Sequence, residues 1–210
     1  GEEHVVRRFL DSRDIARRPD QLPSRWVIDF GVATLEESSK FADRISEVRE
    51  RVRPERERNH RALYREKWWQ FGETRPGLRR AVASQQRMIA STRVGKRLLL
   101  TWQDAPRVAA SDATVVYAFD DDFSMGALLS RAHVAWAWNQ ASTLKGDLRY
   151  TPTSVFATLP WAGAFATAAQ RDVVAAASRE LLARRSEICL TEQIGLTTLY
   201  NQMDEGAWVD

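Results

Sequence analysis

"QRMIASTRVGKRLLLTWQDAPRVAASDATVVYAF" occupies residues 86–119. Three runs in it, 86–92, 96–103 and 113–119, are rich in strand formers. Gly95 sits in the first connection, and a Pro- and Ala-containing loop fills the second. Apolar runs of this length punctuated by Gly, Pro and Asp predict strands. No helical segment separates them, so the alternation that builds parallel sheets is missing. Strands that follow one another, with helices gathered on either side, predict an α+β fold.

Upstream, "RWVIDFG" (25–31) alternates and reads as a strand closed by a glycine. Before it, "RRFLDSRDIARRPDQLP" (7–23) has polar breaks and two prolines and reads as a loop-rich start. From Glu36 the period changes: Phe41, Ile45, Val48 and Val52 mark one face of a helix that ends or bends near Pro54. Residues 56–71 are expected to be helical again. Residues 74–77 form a break, and a short helix follows to Ser84. Downstream, 125–140 predicts one helix with an aromatic face, and 144–161 predicts loop and a short strand. From 166 to 203 there is no proline and one glycine, Gly195. There Val173, Ala177, Glu180, Leu181 and Arg184 fit an amphipathic helix, and a second helix spans 190–203. The expected organisation is a mixed small-sheet domain over 1–162. C-terminal helices over 163–210 would leave it as an arm, the start of a truncated spacer or helical domain. The chain is expected to be an excised fragment.

Composition narrows the class. With 44% hydrophobic and 28% charged residues, the 210-residue chain can bury a core. No 18-residue apolar stretch and no signal-peptide pattern occur, which predicts a cytoplasmic protein without a membrane partner. The single cysteine, Cys189, excludes an internal disulfide and is expected to pack as an apolar residue. Charge is uneven: residues 1–110 hold 24 Lys+Arg against 16 Asp+Glu, and residues 111–210 hold 7 against 12. A basic half suits a polyanion, although an Arg-rich composition also follows from a GC-rich genome.

Catalytic patterns are scarce. His4, His60 and His133 lack ligand spacing, and there is no Gly-rich phosphate loop and no Gly-x-Ser-x-Gly. No residue is assigned to catalysis or to a metal. Asp120–Asp122 is the one acidic cluster, read either as a divalent-metal site of a nuclease or as a solvated turn that caps the next helix. Trp136 is expected in the core, with His133 a core or capping polar residue.

Two stretches suit a nucleic acid. In "RVRPERERNHRALYREKWWQFGETRPGLRRA" (51–81), Arg58, Arg61 and Arg65 share a helix face at 3/4 spacing, with Lys67 close by. Trp68, Trp69 and Phe71 would anchor that helix and leave its basic face to phosphates. The plainer reading is a surface with i,i+4 pairs such as Glu57–Arg61. In "LKGDLRY" (144–150), Lys145 and Asp147 flank a glycine in an expected extended loop, where i and i+2 point the same way. A lysine donor serves guanine, and an aspartate accepts from cytosine N4. Here the plainer reading is a solvated hairpin tip.

These blocks together resemble the target-recognition region of MmeI-type (type IIL) restriction–modification proteins and related adenine-specific DNA methyltransferases. The basic stretch is similar to their V-K/R-P-E-R…Y-R-E-K-W-W-x-F…R-P…R segment. "RFLDSRDIARRP…RWVIDFG", "RMIASTRVGK", "LLSRAHVAWAW" and "LKGDLRYTPTSVFATLPW" resemble further blocks in the same order, over roughly residues 5–205. Arg8 and Ala162 depart from the family's frequent prolines. The resemblance implies a double-stranded DNA recognition module. Lys145, Asp147 and Arg149 would read bases, and Arg58, Arg61, Arg65, Lys67, Arg93, Lys96 and Arg97 would meet phosphates. It also implies a partner methyltransferase domain in the same polypeptide, in some members fused to an endonuclease. That domain carries the S-adenosylmethionine loop and the N-P-P-Y motif, neither of which occurs here. The cofactor is therefore expected in the parent and not in this chain. The alternatives are a metal-dependent nuclease using Asp120–Asp122 and a helical docking scaffold.

Overall fold

The computed structural model describes residues 5–207. Its first elements lie in the segment read as loop: β1 (Val6–Leu10) and α1 (Ser12–Arg17) precede β2 (Arg25–Ile28). The helix has a sequence signal, Asp11 and Asp14 three residues apart. They form a capping box in which the Asp11 side chain accepts from Arg13 N at 3.0 Å, and Asp14 accepts from Asp11 N at 2.9 Å. β1 pairs antiparallel with β2, opposing Arg8 to Trp26 and Phe9 to Arg25. Consecutive arginines hide the alternation of β1, yet each has a partner: Arg7 donates to the Val108 carbonyl at 2.8 Å. Arg8 lies 4.9 Å over the Trp26 ring and donates to the Pro23 carbonyl, and Arg25 lies 5.1 Å over Phe9. Arg8 is thus accommodated as a strand residue.

The helical middle comprises α2 (Leu35–Ser39), α3 (Ala42–Arg51), α4 (Arg53–Glu57), α5 (Ala62–Glu66) and α6 (Pro76–Val82). The expected apolar face holds: Ile45 and Val48 are buried with Val5, Phe30 and Trp68, and Phe41 and Val52 pack around them. The expected continuous helix over 56–71 does not form. Asn59 Oδ1 accepts from Arg61 N at 2.9 Å, an Asx turn that competes with helix continuation. Arg65 then donates to the carbonyls of Asn59 and His60 at 2.7 and 3.0 Å, closing the break.

β3 (Arg87–Thr92), β4 (Val94–Gly95), β5 (Leu100–Asp104), β6 (Val108–Ala110) and β7 (Thr114–Tyr117) follow. Next come α7 (Asp122–Leu129), α8 (Arg131–Gln140), β8 (Ser142–Leu144), β9 (Asp147–Arg149), α9 (Ala168–Thr191) and α10 (Leu196–Asp204). Among the described residues the strands make three small sheets, ordered β2-β1-β6, β5-β3-β7 and β4-β9-β8, and all their pairings are antiparallel except β1 with β6. The α+β expectation is met, with small sheets and C-terminal helices. β3 is covered on both faces: Met88 and Ala90 join one core with Leu10 and Ile15, and Ile89 joins another with Leu100, Tyr117 and Met125. The expected helix over 125–140 is two, divided at Ser130, whose side chain caps α8 by accepting from His133 N at 3.2 Å.

The C-terminal helices are no arm. Cys189, Leu196 and Leu199 sit in the core with Leu10, Ile15 and Met88. Gly195 lies against α1 so closely that a Cβ there would fall 2.4 Å from Arg17 Cα. The inward face of α9 is also turned from the expected one. Ser178, Arg185 and Cys189 are buried, while Val173 and Leu181 stay 69% and 46% exposed. Close approach to α7 decides this. Gly126 faces Val174 and Ser178, and a Cβ on it would lie 2.7 Å from Val174 Cγ1.

Candidate nucleic-acid interface

Residues 142–150 fold as a two-residue hairpin in which Leu144 pairs with Asp147 and Ser142 with Arg149. The loop residues Lys145 and Gly146 take φ of +53° and +86°. Positive φ at both positions is the signature of a type I′ turn. The expected extended loop is therefore corrected: Lys145 stands at the tip, out of the strand alternation. The pair that shares a face is Asp147 and Arg149, because Leu148 between them is buried in the core. Lys145 and Arg149 are exposed and Asp147 is half-buried. Among the described residues none of the three side chains has a hydrogen-bond or ion-pair partner.

The hairpin has a rigid root. Tyr150 N donates to the Arg93 carbonyl at 2.8 Å, beside the β4–β9 pairing. The buried Tyr150 hydroxyl donates to His133 Nε2 at 2.9 Å, and His133 Nδ1–H donates to the Leu128 carbonyl at 2.7 Å. Burial holds His133 below the usual imidazole range and pushes the Tyr150 phenol up to about 12. A neutral ring with the proton on Nδ1 satisfies both bonds. Trp136 Nε1 donates to the Val155 carbonyl at 3.1 Å, so both α8 residues serve the core, as read. Cys189 is likewise core, its thiol pushed up by burial.

The basic residues divide. Arg58 and Lys67 are exposed without intramolecular partners among the described residues, and Arg61 lies 5.8 Å over Tyr64. Because of the break at 58–61, Arg58, Arg61 and Arg65 do not share a helix face. Trp68 is buried and Trp69 Nε1 donates to the Ala33 carbonyl at 3.0 Å, anchoring the segment, whereas Phe71 is 38% exposed. Lys96 is exposed next to β4. Arg93 donates to the Asp112 carbonyl at 3.1 Å. Arg97 is already occupied, donating to Asp204 and to the Tyr200 carbonyl and lying 5.7 Å over the Tyr200 ring. A cleft of about 1510 Å³ is lined by Arg56, Tyr64, Arg75 and Arg79 together with Arg93 and Asp112, so the basic segment and the root of the hairpin border one groove. In it Asp29, 1% exposed, accepts from Arg79 at 2.8 and 2.9 Å and from Arg7 at 3.2 Å. No sequence spacing links these three residues.

The nuclease reading is corrected by the same kind of detail. Asp121 caps α7 by accepting from Ser124 N at 2.8 Å, and Asp122 is held by Arg87 at 2.9 Å and Arg179 at 3.1 Å. Those carboxylates are engaged in folding.

Residues 1–163 match the family model described as MmeI, target recognition domain. The chain belongs to the MmeI target recognition domain family. Among solved structures this MmeI-type chain is similar to the type IIL restriction-modification enzyme MmeI in complex with DNA. The TM-score is 0.68 and the identity 18%, with 89% of this chain and 24% of that one covered. At that identity the likeness speaks for the fold, and the MmeI-type chain spans about a quarter of that enzyme's length. No curated protein matches the sequence. Among the described residues no helix is long and apolar enough to cross a membrane.

Proposed function

We propose that the chain is a sequence-reading module for duplex DNA in a larger adenine-N6 methyltransferase, and that the outer face of the β4–β9–β8 sheet meets the bases. One observation carries this reading. Asp147 and Arg149 share the outward face of β9 without intramolecular partners, on a hairpin whose root is locked by Tyr150 and His133. The major groove admits a two-stranded ribbon. Arg149 suits guanine O6 and N7, and Asp147 accepts from cytosine N4, so the two can serve both halves of a G·C pair. Lys145, held at the turn, reaches ahead of them. A non-glycine residue in the left-handed region costs stability and recurs at functional positions. Arg58, Arg61, Arg65, Lys67, Arg93 and Lys96 supply phosphate contacts that set register, and Arg97 would have to leave Asp204 to join them. S-adenosylmethionine and the target base would be handled by the methyltransferase domain of the parent, in the cytoplasm.

The test is binding of the 210-residue chain to labelled duplex DNA across a salt series. If about six phosphates are neutralised, log K should fall against log salt with a slope of roughly −5. A flat salt response, or no binding at low salt, refutes the reading.

A further inference from the structure

The outer face of the β4–β9–β8 sheet holds more than polar readers. Leu144 stands directly across from Asp147 and is 47% exposed. Across from Arg149 stand Ser142 on one side and Val94, 36% exposed, on the other. Directly opposed residues of an antiparallel pair project to the same face. Leu148, on the opposite face, already supplies this hairpin's anchor in the core, and Leu144 belongs to none of the buried clusters. Leu144 therefore leaves its side chain half in solvent at the hairpin tip, without a place in the core. An apolar side chain there, beside an arginine and an aspartate, has the chemistry of a groove reader.

We infer that Leu144 reads the C5-methyl group of a thymine in the base pair next to the one met by Asp147 and Arg149. This rests on the proposed base-reading role of the hairpin. Among base edges in the major groove the apolar feature is the thymine methyl, and in the minor groove A·T and T·A show acceptors alone. The distances agree. Cross-strand Cβ atoms lie about 5 Å apart, and successive bases on one strand are about 3.4 Å apart, so cross-strand neighbours on a ribbon fall on adjacent base steps. Leu144 thus extends the read sequence from one pair to two.

Deoxyuridine tests this, since it differs from thymidine by that methyl alone. The 210-residue chain selects from a randomised duplex library prepared once with thymidine and once with deoxyuridine. The chain is expected to enrich a G·C pair flanked by an A·T pair with thymine on a defined strand, and the deoxyuridine library should return the G·C pair without the flanking preference. On one selected duplex, replacing that thymidine by deoxyuridine should weaken binding about fourfold, the effect of one buried methyl-sized group. Leu144→Ala should bind the two duplexes equally. Leu144→Met, which keeps an apolar tip, should retain the difference, and a thermal melt of each variant confirms that it is folded. A motif identical in both libraries, or an equal penalty in the chain and in Leu144→Ala, overturns the role of Leu144 and leaves base reading by the hairpin standing. Failure to enrich any motif in either library overturns both.

Discussion

Lys145→Asn separates what the turn costs from what it does. Lys145 sits at φ +53° as the first loop residue of the β8–β9 hairpin. For an L-residue with a full side chain that region costs roughly 1–2 kcal/mol, and asparagine tolerates it better because its short side chain bonds locally. Asparagine should therefore recover about 1 kcal/mol, and in a chain of this size that raises Tm by roughly 2–4 °C. The same change removes the ammonium donor. If Lys145 contacts a base, the loss is about 1–3 kcal/mol, or roughly 5- to 150-fold in affinity for the selected duplex. The two effects have opposite signs, so general damage to the fold cannot imitate them. Calorimetric unfolding gives the first, and fluorescence anisotropy on the selected duplex and on a scrambled one gives the second. Binding to the scrambled duplex should change little. A gain in Tm with unchanged discrimination would make Lys145 a bystander, and a fall in Tm would refute the strain argument.

Two further outcomes follow from the packing. Asp29→Ala leaves Arg7 and Arg79 facing each other, and it should cost about 3 kcal/mol, at the low end for a buried pair because the Arg79 side chain is 30% exposed. A calorimetric Tm lowered by less than a few degrees would show that water replaces the carboxylate. His133 is held below its ordinary pKa by burial, so the unfolded chain binds more protons over the interval between that lowered value and about 6.5. Its contribution is complete above about pH 6.5 and is lost as the pH falls through the interval. Urea unfolding at a series of pH values should show this loss, and His133→Gln should flatten it; an equal slope in both proteins would assign it to other groups.

Long-range features with a local signature were legible. β7 announced itself by its Val115-Val116 run and α3 by the spacing of Ile45 and Val48, whereas Pro76, read as part of a break, is the first residue of α6. The order of blocks carried the family. What escaped depends on distant partners or on single side chains. β4 is two residues long and exists because it pairs with β9, so no periodicity marks it. The break at Asn59 is one side-chain hydrogen bond that overrides a good helical pattern. The face of α9 is set by Gly126 on another helix, since an absent side chain there lets Val174 and Ser178 approach. At the site, residue types were legible but not geometry. The glycine in "KGD" marks a turn as readily as an extended loop, and φ of the lysine decides between them. The exposure of Leu144 had no signal, because a leucine in a strand is more often buried.

Exchanging the two charges of the outward pair on β9 asks whether that pair reads a base pair. The chain carrying both Asp147→Arg and Arg149→Asp selects from the same randomised duplex library as the unaltered chain. Donor and acceptor change places along the strand, so the G·C pair at one position should become C·G while the rest of the motif is kept. Each single change should do worse than the double, since it sets two like charges against a base edge, at about 1–3 kcal/mol per lost contact. An inverted pair at one position is expected, and an identical motif from the unaltered and exchanged chains would refute base reading by Asp147 and Arg149.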